Sequence, residues 1–269
     1  MGLNKRLFTG EAPITHGTEF ENDAVPTTVG SFTTQAFLYI RALDIGNAGK
    51  TVITGSFSGE RFTVSTLATT GSLTGHTSTV NTSTAYRGGT MTTNGLQYRL
   101  FRNTGSWFGK SVTTPFTNVG LSDITLSIPQ DYQAFASSDG FHITKWDNAS
   151  QTIKVYKMAV ANDFTSSLTT LGSYGYSNNS IIYNSTSNTT GHYMVRFHRN
   201  GTYMTGEDYN NGRAALYSCS TPYNLSSTSF VRYFDVPATS CYVVVCPSMK
   251  AIAYGTTPYN STLGVAPLT

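Results

Sequence analysis

Three aspartates, Asp44, Asp131 and Asp235, are where hydrolytic chemistry in this chain would have to begin. Each is expected at or near a first-strand position of a different repeat. Two carboxylates brought to either side of a glycosidic bond can serve as general acid and as base or nucleophile. Isolated strand-end aspartates are also ordinary turn formers, and nothing in their spacing compels the three to converge. Serine chemistry has less to stand on, because Gly55-Ser56-Phe57-Ser58-Gly59 puts Phe where G-x-S-x-G needs its nucleophile. The histidines His16, His76, His142, His192 and His198 include no pair at helical metal spacing. On one strand His192 and His198 would lie about 20 Å apart, so solvated or hydrogen-bonded histidines are expected rather than metal ligands. Glu207-Asp208-Tyr209-Asn210-Asn211-Gly212 has the Asp, Asn and Gly of a calcium turn but neither the alternate-ligand spacing nor the distal Glu. Asp147-Asn148-Ala149-Ser150 holds the corresponding place earlier in the chain, so both read as β-hairpin turns. No catalytic residue, metal or cofactor is called for by these patterns.

The three cysteines do not change that. Cys241 and Cys246 bound an apolar run that reads as a buried strand, and an odd separation puts them on opposite faces about 16 Å apart. They cannot bridge each other, and Cys219 adds no short metal-type spacing, so all three are expected as small buried hydrophobes.

The elements that must position any site come from a repeat. A small residue after a polar one opens a strand at Gly49, Gly95, Gly140 and Gly201, and Ser248 fits the same slot. Fifteen positions on stand Val64, Lys110, Val155, Leu216 and Leu263, and twenty-three on stand Ser72, Asn118, Asp163 and Asn224, each opening a polar turn. A period in the forties with several short β-segments is the pattern of propeller blades. Composition agrees: charged residues are 12% of the 269, Thr, Ser, Asn, Gly and Tyr dominate, and no amphipathic helical segment is visible. The fold expected is all-β, a five-bladed β-propeller over residues 19–269 preceded by an arm over residues 1–18, with a β-sandwich or an open β-repeat as the alternative.

Strand by strand, the fourth copy reads Tyr193 to Phe197, Thr202 to Thr205, Arg213 to Ser218 and Phe230 to Phe234, the four strands of a blade. The first copy begins at Ala36 to Ile40. In the last, Cys241 to Cys246, Lys250 to Tyr254 and Thr262 to Leu268 leave the fourth strand missing. An open edge exposes unpaired backbone groups, so the N-terminal segment Glu19-Phe20-Glu21-Asn22-Asp23-Ala24-Val25 is expected to close the last blade. The long interval between the third and fourth copies implies an insertion, Tyr174 to Thr190.

Ser138-Asp139-Gly140, Asp147-Asn148, Thr152-Ile153-Lys154-Val155-Tyr156-Lys157 and Asp163-Phe164-Thr165-Ser166-Ser167-Leu168 together resemble the propeller repeat of structural proteins of aquatic bacteriophages. The opening Leu3-Asn4-Lys5-Arg6-Leu7-Phe8-Thr9-Gly10 is similar to the Lys-Arg-Leu arm that begins many tail and capsid-appendage proteins of such phages. The resemblance implies a non-enzymatic virion protein whose arm, with Leu3, Lys5, Arg6, Leu7 and Phe8 as anchoring residues, docks on tail or capsid proteins in a symmetric multi-copy assembly. Contribution to host-surface recognition, with a surface glycan as ligand, goes with it. The net charge of +3 is spread thinly, which argues against nucleic acid as a partner. No apolar run suggests a secretory leader or a membrane span, so synthesis in the host cytoplasm and residence in the virion are expected. A free propeller lectin is the rival, supported by 17 Tyr, 15 Phe and 2 Trp among polar residues, and a five-bladed glycosidase is third.

Overall fold

The structure, a computed structural model, describes residues 24–37, 40–56, 61–81, 86–102, 107–118, 120–128, 134–147, 150, 152–175, 195–256 and 261–269. Their strands form five antiparallel sheets of four, the blades of a five-bladed β-propeller. Blade one is β2 (Ile40–Gly46), β3 (Thr51–Ser56), β4 (Arg61–Thr66) and β5 (Thr77–Asn81). Blade two is β6 (Tyr86–Met91), β7 (Gln97–Arg102), β8 (Trp107–Ser111) and β9 (Ser122–Ile124). Blade three is β10 (Ala134–Ala136), β11 (His142–Asp147), β12 (Thr152–Met158) and β13 (Leu168–Gly175). Blade four is β14 (Val195–His198), β15 (Tyr203–Asp208), β16 (Arg213–Cys219) and β17 (Thr228–Asp235). Blade five takes β18 (Cys241–Val245), β19 (Ala251–Thr256) and β20 (Ser261–Pro267) from the end of the chain and β1 (Thr33–Phe37) from its beginning.

The N-terminal region therefore closes the last blade, but with a different strand from the one expected. Thr33 to Phe37 pairs antiparallel with Val265 to Ser261, so Ala36 belongs to blade five and the innermost strand of blade one starts only at Ile40. Ahead of β1 the chain already runs along blade five: Thr27 and Thr28 N–H donate to Thr269 O at 2.7 and 2.9 Å, and Gly30 N–H to Pro267 O at 2.9 Å. Residues 19–23, the arm over residues 1–18 and most of the insertion lie outside the described residues, while Tyr174 ends up inside β13.

The fixed offsets of the repeat have a backbone cause. Gly49, Gly95, Gly140 and Gly201, in the turns between first and second strands, have φ of 84°, 68°, 71° and 82°, a region that costs a side-chain-bearing residue about 1–2 kcal/mol. Each glycine carbonyl accepts the N–H of a residue in the loop before the fourth strand: Gly71, Phe116, Asn162 and Tyr223, at 2.7–3.2 Å. These four also have positive φ, so the two bends are locked face to face, and the polar turn found at offset twenty-three follows directly after. In blade five the turn residue is Met249, at φ 59°, and not Ser248. Register settles this, because Val244 pairs with Ala253 about Met249 just as Asp44 pairs with Ile53 about Gly49 and Arg196 with Thr205 about Gly201.

Apolar clusters fill the seams between blades. Ile53, Val64, Met91, Tyr98 and Leu100 join blades one and two, while Trp146, Val155, Phe197 and Tyr217 join three and four. Leu216, Phe234, Val243 and Ile252 join four and five, with Val25, Val29 and Phe32 of the N-terminal segment packed against them.

Candidate functional site

The innermost strands carry one residue each at the position five before the turn: Asp44, Thr90, Phe135, Arg196 and Val244, all buried. Two of them make an ion pair in the middle of the ring. Arg196 Nη2 donates to Asp44 Oδ1 at 2.5 Å, its Nε donates to Ala136 O at 3.1 Å, and its Nη1 donates to Val245 O at 2.8 Å and Ile45 O at 3.4 Å. The guanidinium carbon lies 4.9 Å from the centre of the Phe135 ring. Asp44 Oδ2 accepts Met91 N–H at 3.1 Å, and Oδ1 also accepts Ile45 N–H at 2.7 Å. The pair thus reaches backbone groups in blades one, two, three and five from a side chain in blade four, and the ring's axis is plugged at this level. Burial pushes the Asp44 carboxyl upward, against the Arg196 guanidinium and two backbone N–H groups that favour the ionised form. With a permanently charged guanidinium on one oxygen and N–H donors on both, Asp44 is a carboxylate held for structure rather than a free acid or base.

Of the other two candidate acids, Asp235 is the last residue of β17, exposed on the outermost strand of blade four, and Asp131 lies outside the described residues. Asp44 and Asp235 therefore do not converge: one is on an innermost strand and the other at the rim.

The described histidines are held as expected of hydrogen-bonded side chains. His198 is fully buried between Pro247 O, 3.0 Å from Nδ1, and Thr205 Oγ1, 2.8 Å from Nε2. A carbonyl can only accept, so Nδ1 carries the proton and Nε2 accepts the threonine hydroxyl. Burial, with Arg196 and Arg199 nearby, depresses this imidazole to about 3, against a smaller opposing contribution from Pro247 O. His76 Nδ1 lies 2.6 Å from Leu73 O. His16 and His192 fall outside the described residues. Among the described residues no His, Cys, Asp and Glu group is arranged to hold a metal ion. Cys219, Cys241 and Cys246 are free thiols buried in three different seams, and burial pushes Cys219 and Cys241 up to about 12. Glu207 to Gly212 joins β15 to β16 as a hairpin turn, and Glu207 Oε1 accepts Val243 N–H at 3.0 Å across the seam to blade five.

A second polar cluster sits between blades three and four. Asp139 Oδ1 accepts Ser137 Oγ at 2.6 Å and Phe141 N–H at 2.9 Å, and Oδ2 accepts Tyr223 OH at 2.6 Å and lies 2.5 Å from His142 Nδ1. The His142 and Tyr223 rings stack at 3.5 Å. Burial works to raise the Asp139 carboxyl, and the hydrogen bonds from His142, Ser137 and Tyr223 outweigh it, so the group is held well below the usual carboxylate range. Both oxygens are committed to the turn and its neighbour, which makes this a lock between blades. The same task falls to Asn162 of blade three, whose Oδ1 accepts Thr93 N–H and Oγ1 of blade two at 2.9 and 2.6 Å.

Arg196 escaped the reading of the sequence, although a signal existed: it stands five before Gly201 as Asp44 stands five before Gly49, opposite charges in one slot of the repeat. The anchoring residues Leu3, Lys5, Arg6, Leu7 and Phe8 lie outside the described residues.

Fold and axis together define a closed five-bladed β-propeller with an internal ion-pair plug. No protein-family description matches the chain, and no curated protein does. Among solved structures, the β-propeller domain of Cps50 (Swd1) from Myceliophteria thermophila is similar at 10% identity and a TM-score of 0.48, covering 89% of this chain and 100% of that one. A putative 6-phosphogluconolactonase from Bacteroides fragilis is similar at 12% identity and 0.42, over 86% of this chain and 76% of that one. A functionally unknown protein from Desulfotomaculum acetoxidans gives 11% identity and 0.38, over 86% and 73%.

Proposed function

We propose that this chain is a non-enzymatic structural component of a bacteriophage virion, a tail or capsid appendage held by residues 1–18, whose propeller faces outward and contributes to host-surface recognition. The observation that supports this reading most is the use made of the axis. A buried ion pair spends its hydrogen bonds on backbone groups of the other four blades, so the middle of the ring serves rigidity. A rigid closed ring with seams filled by side chains suits a particle component that must persist outside a cell. Its partners are other virion proteins, met in symmetric copies.

Co-sedimentation tests the reading. Full-length protein is expected to pellet with phage particles or with their purified tail or capsid proteins, and protein lacking residues 1–18 to stay in the supernatant. Equal behaviour of the two forms overturns the anchoring role. Glycoside cleavage that disappears in Asp44→Asn and Asp131→Asn variants would overturn the non-enzymatic part. The second reading, a free carbohydrate-binding lectin, draws on the exposed aromatic residues of β17 and predicts glycan binding without particle association.

A further inference from the structure

The outer half of blade four carries a row of groups that ring closure does not consume. In the β16–β17 ladder Arg213 faces Asp235, Ala215 faces Tyr233 and Tyr217 faces Phe230, and a bulge leaves Val231 without a partner between Phe230 and Arg232. The extra residue brings Phe230 and Tyr233 to the same side of the sheet. Their ring centres are 4.6 Å apart at an interplanar angle of 50°, and Tyr217 backs Phe230 edge-on at 5.9 Å. The Arg213 guanidinium lies 3.6 Å from the Tyr233 ring centre. Its Nε donates to Asp208 Oδ2 at 2.8 Å, and the Asn211 amide reaches both oxygens of Asp208 at 3.0 Å. Phe230 is 42% and Tyr233 37% exposed, and Asp235 is exposed at the end of the row.

The chemistry of this row selects among ligands. An anion, nucleic acid included, would meet the exposed carboxylate of Asp235, and the neighbouring guanidinium is already paired with Asp208. An apolar peptide covering the rings would also bury Asp235 and the Arg213 guanidinium beside them, which is costly unless both are hydrogen-bonded. A neutral polyhydroxylated ring meets both demands: its C–H face packs on aromatic rings, and its hydroxyls donate to a carboxylate and accept from a guanidinium. Strands hold these groups, so little ordering is left to pay for on binding.

We propose that the Phe230–Tyr233–Arg213–Asp235 row is a binding site for a neutral saccharide. It deepens the host-recognition part of the function proposed above, and it lies on the ring rather than on the arm.

The test applies full-length protein and protein lacking residues 1–18 to an array of immobilised neutral and acidic glycans, followed by competition with the soluble form of the best-bound neutral glycan. Both forms are expected to bind equally. Phe230→Ala and Asp235→Asn, both at exposed positions, are each expected to weaken binding about tenfold or more, roughly what the loss of one good contact gives, with cooperative thermal melting showing that both variants are folded and Asp235→Asn melting as the parent does. Retention of only acidic glycans, no binding to any neutral glycan, or binding unchanged in both variants overturns the proposal. Loss of particle co-sedimentation would overturn the virion role while leaving this site standing, so the two failures are separable.

Discussion

Arg196 and Asp44 stand 152 residues apart in sequence and share one hydrogen bond on which much of the ring converges. Removing one partner of a buried pair leaves an uncompensated charge, at a cost of about 3–5 kcal/mol. Arg196→Met is expected to lose stability of that order in urea unfolding, and Asp44→Leu combined with Arg196→Met to lose less than Arg196→Met alone, because no charge is then stranded. A double variant as unstable as the sum of both singles would refute a direct coupling. Asp44 was readable from the sequence as a residue of interest, but its ion pair was not. Carboxylate chemistry was visible, but the cation that neutralises it comes from a strand in another blade, and no local spacing encodes that meeting. The buried cysteines and the hydrogen bonding of His76, His142 and His198 were legible because short apolar context and strand spacing are local properties.

Turns carry the second level of specification. At Gly201 a Cβ would sit 2.7 Å from the Tyr223 ring and backbone nitrogen, at a φ of 82°. At Gly75, with φ 68°, its nearest contact would be Ala68 Cβ at 3.7 Å. Gly75→Ala should therefore cost only the conformational penalty of about 1 kcal/mol, and Gly201→Ala distinctly more, since the Tyr223 loop must also move. Denaturant midpoints of the two variants check the order, and equal losses would show that the loop yields freely. The repeat of such glycines made four of the five blades legible, because an obligate positive φ leaves a mark in composition. Met249 left none, so the fifth turn was placed one residue early. Strand β1 was missed for a related reason: nothing in Thr33–Phe37 itself distinguishes an outermost strand of the last blade from an innermost strand of the first. Only pairing with β20 decides it.

For the molecule as a whole, acid is the expected weakness. The unfolded chain protonates a histidine near pH 6.5, whereas native His198 stays neutral until about pH 3. The folded pKa is depressed, so the stability present above pH 6.5 is lost as pH falls through this window, at up to about 1.4 kcal/mol per unit. His198→Gln, which keeps one donor and one acceptor in the pocket, should flatten the difference in unfolding free energy between pH 7 and pH 5. An unchanged slope would place the acid sensitivity elsewhere. Carboxylates held low, such as Asp147 at about 2 beside Lys154, act only at more acid pH and do not blur the comparison.

The axial ion pair also sets a clock on biosynthesis. Asp44 leaves the ribosome in the first blade, with an innermost strand shaped for the centre of a ring that does not yet exist. Its counter-charge follows 152 residues later, a wait of roughly eight to thirty seconds at ordinary elongation rates. Until then the first three blades can join through their own seams, but the Asp44 carboxylate at the axis has no guanidinium partner. The last bonds, from Thr27 and Thr28 to Thr269, join the two ends of the described chain and can form only after residue 269 has been made. Such a ring can assemble its blades in order, but it closes only once residue 269 has joined the first strand's neighbours.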